Sequence, residues 1–276
     1  MAAEHVGASV ELNNGVKMPW LGLGVWQGKP RDGDDVVAAI RHALTIGYQC
    51  IDTAAGYENE PGVGKAIRES GLNRENVFIT TKLRNSDQGY ETTLAAFEES
   101  RKKLGVDYID LYLIHWPNLD KLKETWRAFE KLYKEGLVRA IGVSNFQIRH
   151  LEPLFQTANI IPAVNQVEYH PLLTQRTLHD FCMAHNIQLE AWSPLMKGNL
   201  SADTIAELAE KYGKTPAQIV LRWDLQNRVV TIPKSVRTAR IEENADIFDF
   251  QLTDEDMAKV SALNQDYRFT QYPPNY

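Results

Sequence analysis

Short, nearly continuous apolar runs recur along the chain: WLGLGVW, YQCIDT, NVFITTKL, YIDLYLIHW, VRAIGVSN, AVNQVEY, IQLEAWS and VVTIP. Runs of about four to eight residues without strict polar alternation predict strands covered on both faces, as in a parallel sheet wrapped by helices. Most of the intervening stretches carry helical periodicity. From Tyr90 to Leu104, the residues Leu94, Phe97, Arg101 and Leu104 fall on one face. Leu122, Trp126, Phe129 and Tyr133 repeat in the same way, and Gly136 supplies a stop. Ahead of the first run, SVELNNGVKMP predicts a hairpin turning at Asn14-Gly15.

Eight strands alternating with helices in 276 residues predict an α/β fold, one (β/α)8 TIM barrel forming a single domain over residues 1–276. The hairpin is expected to close the barrel base, residues 1–8 to form a loose tail, and the chain to finish in a short C-terminal tail. A doubly wound sheet is the competing arrangement. It is weakened because no Gly-x-Gly-x-x-Gly follows a strand; Gly22 and Gly24 match only in part and read better as a tight first barrel strand. Composition then bounds the partners. A hydrophobic share of 43% and a charged share of 24% are ordinary for a soluble enzyme. A net charge of -6 speaks against nucleic acid or an anionic membrane as main partner. No run approaches the ~20 residues of a membrane span, and MAAEHVGAS lacks the basic-then-apolar order of a signal peptide. Cys50 and Cys182 have no metal-type spacing and read as reduced thiols of a cytoplasmic protein.

Candidate chemistry sits where the runs end. Asp52 closes the second run, with Tyr57 just beyond it; Lys82 closes the third and His115 the fourth. Each has a plain alternative: Asp52 as a loop cap, Tyr57 as a half-buried loop ring, Lys82 as a solvated cation, His115 as a hydrogen-bonded core imidazole. Parallel strands, however, would gather all four at one mouth, where barrel chemistry is carried. A phenol holds its proton at neutral pH, and a nearby ammonium makes that proton easier to give. An aspartate would orient the ammonium, and an imidazole can hydrogen-bond a substrate oxygen. Such a set suits protonation of a carbonyl oxygen while another species attacks the carbon. A Schiff-base aldolase on Lys82 remains open at this point, as does a metal hydrolase using His115, His170 and Glu168, although no paired-His signal supports it. So does a non-catalytic, cofactor-sensing protein on the same fold.

The motifs DTAAGYENE, TTKL, LIHWP, IGVSNF, NQVEYHP and IPKSVRTARIEEN, in this order, resemble the aldo-keto reductase family from about Gly15 to about Asn264. The resemblance is nearest to its prokaryotic and protozoan branch, with diketogluconate, glyoxal and methylglyoxal reductases and prostaglandin F synthase. It implies NADPH-dependent reduction of aldehydes and ketones, including dicarbonyls and keto-sugars, with Tyr57 as general acid beside Asp52, Lys82 and His115. Aldehyde detoxification is the role expected of such an enzyme. The same likeness assigns the nicotinamide to Ser144, Asn145, Gln166 and Trp192, with Gly24, Val25, Trp26, Asp52, Ser193 and Leu195 also lining the cofactor. Lys234, Ser235 and Arg240 match residues holding a 2′-phosphate, and Arg240, Glu243 and Asn244 share one helix face. No metal is implied, and the enzyme is expected to act as a monomer. The substrate pocket is expected from Trp26, Tyr57, His115 and Trp116. Two departures stand out. Arg84 occupies a position where many relatives carry Trp, which could place a cation at the rim. Met196-Lys197-Gly198 replaces the more usual Gly-Gln-Gly in the loop that clasps the cofactor. Phe269 and Tyr272 are expected near the mouth.

Overall fold

The computed structural model describes residues 5–26 and 34–270. Strands β1 (Ser9–Glu11) and β2 (Lys17–Pro19) pair antiparallel around the Asn14-Gly15 turn, where Gly15 takes a φ of 83°. The turn amides are spent on the barrel floor: Asn13 Nδ2 donates to the Pro162 carbonyl at 3.0 Å, and Asn14 Nδ2 to the Arg139 carbonyl at 2.9 Å. Val6 and Ala8 pack against the core, and the Trp20 amide donates to the Ala8 carbonyl at 2.9 Å. Residues 5–8 are therefore held, unlike the loose tail expected there. Residues 1–4 and Tyr272 lie outside the described residues.

The remaining strands follow the alternation. They are β3 (Leu23–Gly24), β4 (Cys50–Asp52), β5 (Phe78–Leu83), β6 (Ile109–Ile114), β7 (Val138–Ser144), β8 (Val164–Glu168), β9 (Gln188–Trp192) and β10 (Val230–Thr231), all parallel and neighbouring in chain order. Parallel bridges Leu21–Thr231 and Gly24–Lys234 join the first strand to the last and close the barrel. The helices in the described residues are α1 (Asp34–Thr45), α2 (Glu60–Glu69), α3 (Tyr90–Leu104), α4 (Leu122–Lys134), α5 (Ile148–Phe155), α6 (Arg176–Ala184), α7 (Asp203–Tyr212), α8 (Pro216–Gln226), α9 (Thr238–Ala245) and α10 (Asp254–Ser261). Their ends follow local chemistry. α8 starts at a reciprocal cap, Thr215 Oγ1 accepting from the Gln218 amide while Gln218 Oε1 accepts from the Thr215 amide. None of the helices is long and apolar enough to cross a membrane.

The main core lies between strands and helices. Tyr112 of β6 stacks on Phe129 of α4 at 4.6 Å and meets Phe97 of α3 edge-on at 5.4 Å. Leu122, Trp126 and Phe129 of α4 are buried as their spacing predicts. The buried face of α3 is Thr93, Phe97, Ser100 and Leu104, while Leu94 and Arg101 are only half-buried. The apolar stripe is displaced because the polar Thr93 and Ser100 lie on the buried face; nearby, the buried Glu60 carboxyl accepts from Thr81 at 2.7 Å. Cys50 and Cys182 are buried free thiols.

Candidate active site

The strand ends converge as the motif order predicts. Asp52 is the last residue of β4, Lys82 lies one residue before the end of β5, and His115 follows directly on β6. Tyr57 ends a 3-10 turn over Ala55–Tyr57 that rises from β4. This turn is fastened by buried polar bonds. Thr53 Oγ1 donates to Asn59 Oδ1 at 2.6 Å, and Asn59 Nδ2 donates to the Val25 carbonyl at 3.0 Å. Arg84 adds a clamp from the next loop, donating to the Ala55 carbonyl at 2.7 Å and to Glu58 at 3.1 Å. Its guanidinium is thus committed to the residues flanking Tyr57.

The Lys82 ammonium uses all three of its hydrogens. It donates to Asp52 Oδ1 and Oδ2 at 2.6 and 2.8 Å and to the Thr53 carbonyl at 2.9 Å. Burial works to neutralise Lys82, but Asp52 and Tyr57 outweigh it and keep the amine charged above its ordinary pKa. The same ammonium sits 5.2 Å from the centre of the Tyr57 ring. Burial raises the pKa of the Tyr57 hydroxyl, the Lys82 charge draws it down, and Asp52 and Glu190 push it up; the net shift is upward. The phenol therefore holds its proton at neutral pH. His115 meets the Tyr57 ring edge-on at 5.7 Å. Burial, aided by Lys82, lowers its pKa to about 3, so it is a neutral imidazole at physiological pH. A neutral imidazole can donate a hydrogen bond through its ring N–H.

Next to this group lies a polar shelf from β7, β8 and β9. Ser144 Oγ donates to the Gln166 carbonyl at 2.9 Å, Asn145 Nδ2 to the His115 carbonyl at 2.9 Å, and Trp192 Nε1 to Asn145 Oδ1 at 2.9 Å. Asn145 thereby links the ring of Trp192 to the backbone of His115. Asn145, Ser193, Met196 and Lys197 adopt φ values of 65°, 54°, 52° and 54°, uncommon for residues other than glycine and concentrated where a site needs a set shape. In the Met196 loop, Lys197 Nζ donates to the Phe269 carbonyl at 2.8 Å, while the Phe269 amide donates to Glu168 at 2.8 Å. His170, 3.3 Å from Glu168, is buried beneath the Phe269 ring.

Beyond β10, Lys234 and Arg240 are exposed, as is Arg237, whose place in KSVRTAR the motif reading passed over. Among the described residues no carboxylate pairs with these three cations. Arg237 is the N-cap of α9 and Arg240 lies in its first turn, where basic groups oppose the helix dipole unless an anion is present. Ser235 is buried and caps the Arg237 amide at 3.0 Å. The shared face of Arg240, Glu243 and Asn244 is graded: Arg240 is exposed, Asn244 is buried, and Glu243 accepts from Thr215 at 2.6 Å. At the rim, Trp26 is 46% exposed, Leu119 is 53% exposed, and Trp116 is half-buried. Leu119 was legible only as an apolar residue in a polar loop. Gly24 and Val25 are buried at the end of β3, and Leu195 is half-buried after β9.

Comparison with known proteins places this geometry. The aldo/keto reductase family profile matches residues 20–265. The chain is 60% identical over 261 residues to a Bacillus subtilis protein named glyoxal reductase, covering 94% of each. A crystal structure of an aldo-keto reductase from a Medee basin deep-sea metagenome library superposes with a TM-score of 0.94 at 49% identity, covering 97% of this chain and 99% of that one. A mutant of Gox0644 crystallised in complex with NADPH superposes at 0.91 with 43% identity, covering 96% of this chain and 97% of that one.

Proposed function

The chain belongs to the aldo/keto reductase family, and on that premise we propose that it reduces small aldehydes and dicarbonyls such as glyoxal and methylglyoxal, and keto-sugars, with NADPH as reductant. The observation that carries this reading is Lys82 pinned by Asp52 and set 5.2 Å from the Tyr57 ring at the barrel mouth. The donor set suits the cofactor. Amide and hydroxyl groups of Ser144, Asn145 and Gln166 stand together for a carboxamide, the Trp192 ring lies beside them, and Lys234, Arg237 and Arg240 supply exposed cations for a phosphate. NADPH, when bound, supplies the hydride that adds to the carbonyl carbon.

Tyr57 transfers its hydroxyl proton to the carbonyl oxygen, giving the alcohol. Lys82 stabilises the phenolate left behind, Asp52 keeps Lys82 charged and aimed, and neutral His115 donates a hydrogen bond that orients the carbonyl. Trp26 and Trp116, which follow β3 and β6, would supply apolar walls for the substrate. The name of the Bacillus subtilis relative favours glyoxal-type substrates. A Schiff-base role for Lys82 fits poorly, because a nucleophilic lysine needs a lowered pKa and a free amine, and Lys82 is fully hydrogen-bonded and held charged.

The test is a screen of carbonyl-dependent NADPH oxidation over glyoxal, methylglyoxal, small aldehydes and keto-sugars. Turnover with dicarbonyls and faster turnover with NADPH than with NADH are expected. Arg240→Ala should raise KM for NADPH by about tenfold while leaving KM for NADH nearly unchanged. No oxidation with any carbonyl, or equal effects on the two cofactors, would contradict the assignment.

A further inference from the structure

Glu190 is a buried carboxyl for which the proton transfer has no use. It stands in β9 opposite Gln166 of β8 in the parallel register and is fully enclosed. Its Oε2 lies 2.9 Å from Gln166 Nε2, and its Oε1 has no partner among the described residues. Gln166 Nε2 also lies 2.8 Å from Asp52 Oδ2, reached across the barrel interior. Asp52 accepts from Lys82 through both oxygens, so it has no proton to offer the amide. The Gln166 atom facing both carboxyl groups must therefore be the amide nitrogen, with one hydrogen spent on each. The side chain keeps only its carbonyl oxygen, and among the described residues nothing donates to it.

We infer that Glu190 is a positioning residue for cofactor recognition: with Asp52 it holds the Gln166 amide so that only its carbonyl oxygen can meet the nicotinamide carboxamide, which must then offer its NH2 there. This rests on the proposed function, because it requires a nicotinamide beside Gln166. Asp52 alone fixes one N–H direction, and the amide plane could still swing about that bond. Glu190 provides the second anchor and removes that freedom. Burial, with Asp52 adding to it, pushes the Glu190 pKa up to about 8, while Gln166 and Lys82 draw it back. A proton carried on Oε1 leaves Oε2 free to accept, so the anchor works in either charge state.

The test compares two ligands on the full chain in the absence of any carbonyl. One is NADPH. The other is its reduced 3-acetylpyridine analogue, in which a methyl ketone replaces the carboxamide and no NH2 is present. Affinities are read from tryptophan fluorescence, and folding of each variant from its thermal midpoint. Glu190→Leu should weaken NADPH by about tenfold, the scale of one hydrogen bond, and should change the analogue by less than about twofold. Glu190→Gln, which can still accept from Gln166, should restore NADPH affinity to within about twofold of the parent. The ratio of the two affinities within one variant does not depend on how much protein is folded. Equal weakening of both ligands in Glu190→Leu, no weakening of NADPH, or a loss in Glu190→Gln as large as in Glu190→Leu would overturn the inference. If the unaltered chain bound neither ligand, the proposed function itself would fail, a result distinct from equal weakening in the variants.

Discussion

Two buried aspartates, Asp110 at the barrel base and Asp52 at the mouth, are satisfied in opposite ways. Asp110 accepts from Arg74 at 2.6 Å, Arg139 at 2.9 Å and the Ile79 amide at 3.0 Å. Two guanidiniums face one carboxylate, and both reach partly into solvent. At the mouth the balance reverses. Lys82, wholly buried, is one ammonium for two enclosed acids, Asp52 and Glu190, with Gln166 bridging them. Backbone strain does not divide in this way. In turns leading into strands from the base, positive φ is taken by Gly47, Gly105 and Gly136 but also by Asn186 and Arg228; beyond the strand ends it is taken by Glu58, Asn145, Ser193 and Met196. Surplus cations are what a structural end needs. A deficit of positive charge, an acid of raised pKa and constrained polar residues are what a chemical end needs.

The largest effect expected from breaking this contrast is at Lys82. Lys82→Met removes the ammonium bound to Asp52 and should destabilise the fold by about 3–5 kcal/mol, measured by denaturant unfolding, and abolish turnover. Asp110→Ala should cost less, about 1–3 kcal/mol, because both arginines can turn to water, and should leave kcat unchanged. Loss of kcat in Asp110→Ala would mean that the two ends are not separable.

The next effect is on pH. The Glu190 pKa is raised from 4.5 to about 8 in the fold, chiefly by burial, so the native state holds a proton that the unfolded chain has released. Stability from this group is fully present below 4.5 and is lost as pH rises through about 8. The slope is at most about 1.4 kcal/mol per pH unit for one proton. His115 works the other way: its pKa is lowered from 6.5 to about 3, so its contribution is present above 6.5 and lost as pH falls. Thermal midpoints across this range should fall less steeply on the alkaline side in Glu190→Gln than in the parent chain. Identical slopes would sink the assignment of Glu190 as the neutral acid.

The smallest effect sharpens the role of Arg84. Its bonds to Ala55 and Glu58 make it a brace for the Tyr57 turn. Arg84→Ala should lower kcat by about threefold to tenfold with the Kd for NADPH unchanged. A rise in KM confined to acidic carbonyls, with kcat intact, would favour a direct contact with substrate instead.

Much of this contrast was legible in the sequence. The eight apolar runs became strands in the predicted order, and Asp52, Tyr57, Lys82 and His115 converged because parallel strands place their C-terminal ends at one rim. Glu190 was not legible. In IQLEAWS it resembles a solvent-facing interruption, since polar residues inside a barrel and outside it have the same one-dimensional pattern. Its meaning depends on the contact between Gln166 and Asp52, residues 114 positions apart. Asn59 was hidden for a similar reason: its bond to Val25 is made across the strand ends. The face of α3 was misplaced because Ser100 and Thr93 are buried polar positions. Arg237 was overlooked because a third cation in KSVRTAR gains meaning only where α9 begins.

The account turns on Tyr57 as the proton donor. Replacing it by Phe removes the hydroxyl and keeps the ring against His115. Measuring kcat with methylglyoxal and the Kd for NADPH on the same preparation of Tyr57→Phe should show a fall in kcat of about 100- to 10,000-fold with cofactor affinity unchanged. Turnover within about tenfold of the parent would contradict the assignment and move the proton to another group at the mouth.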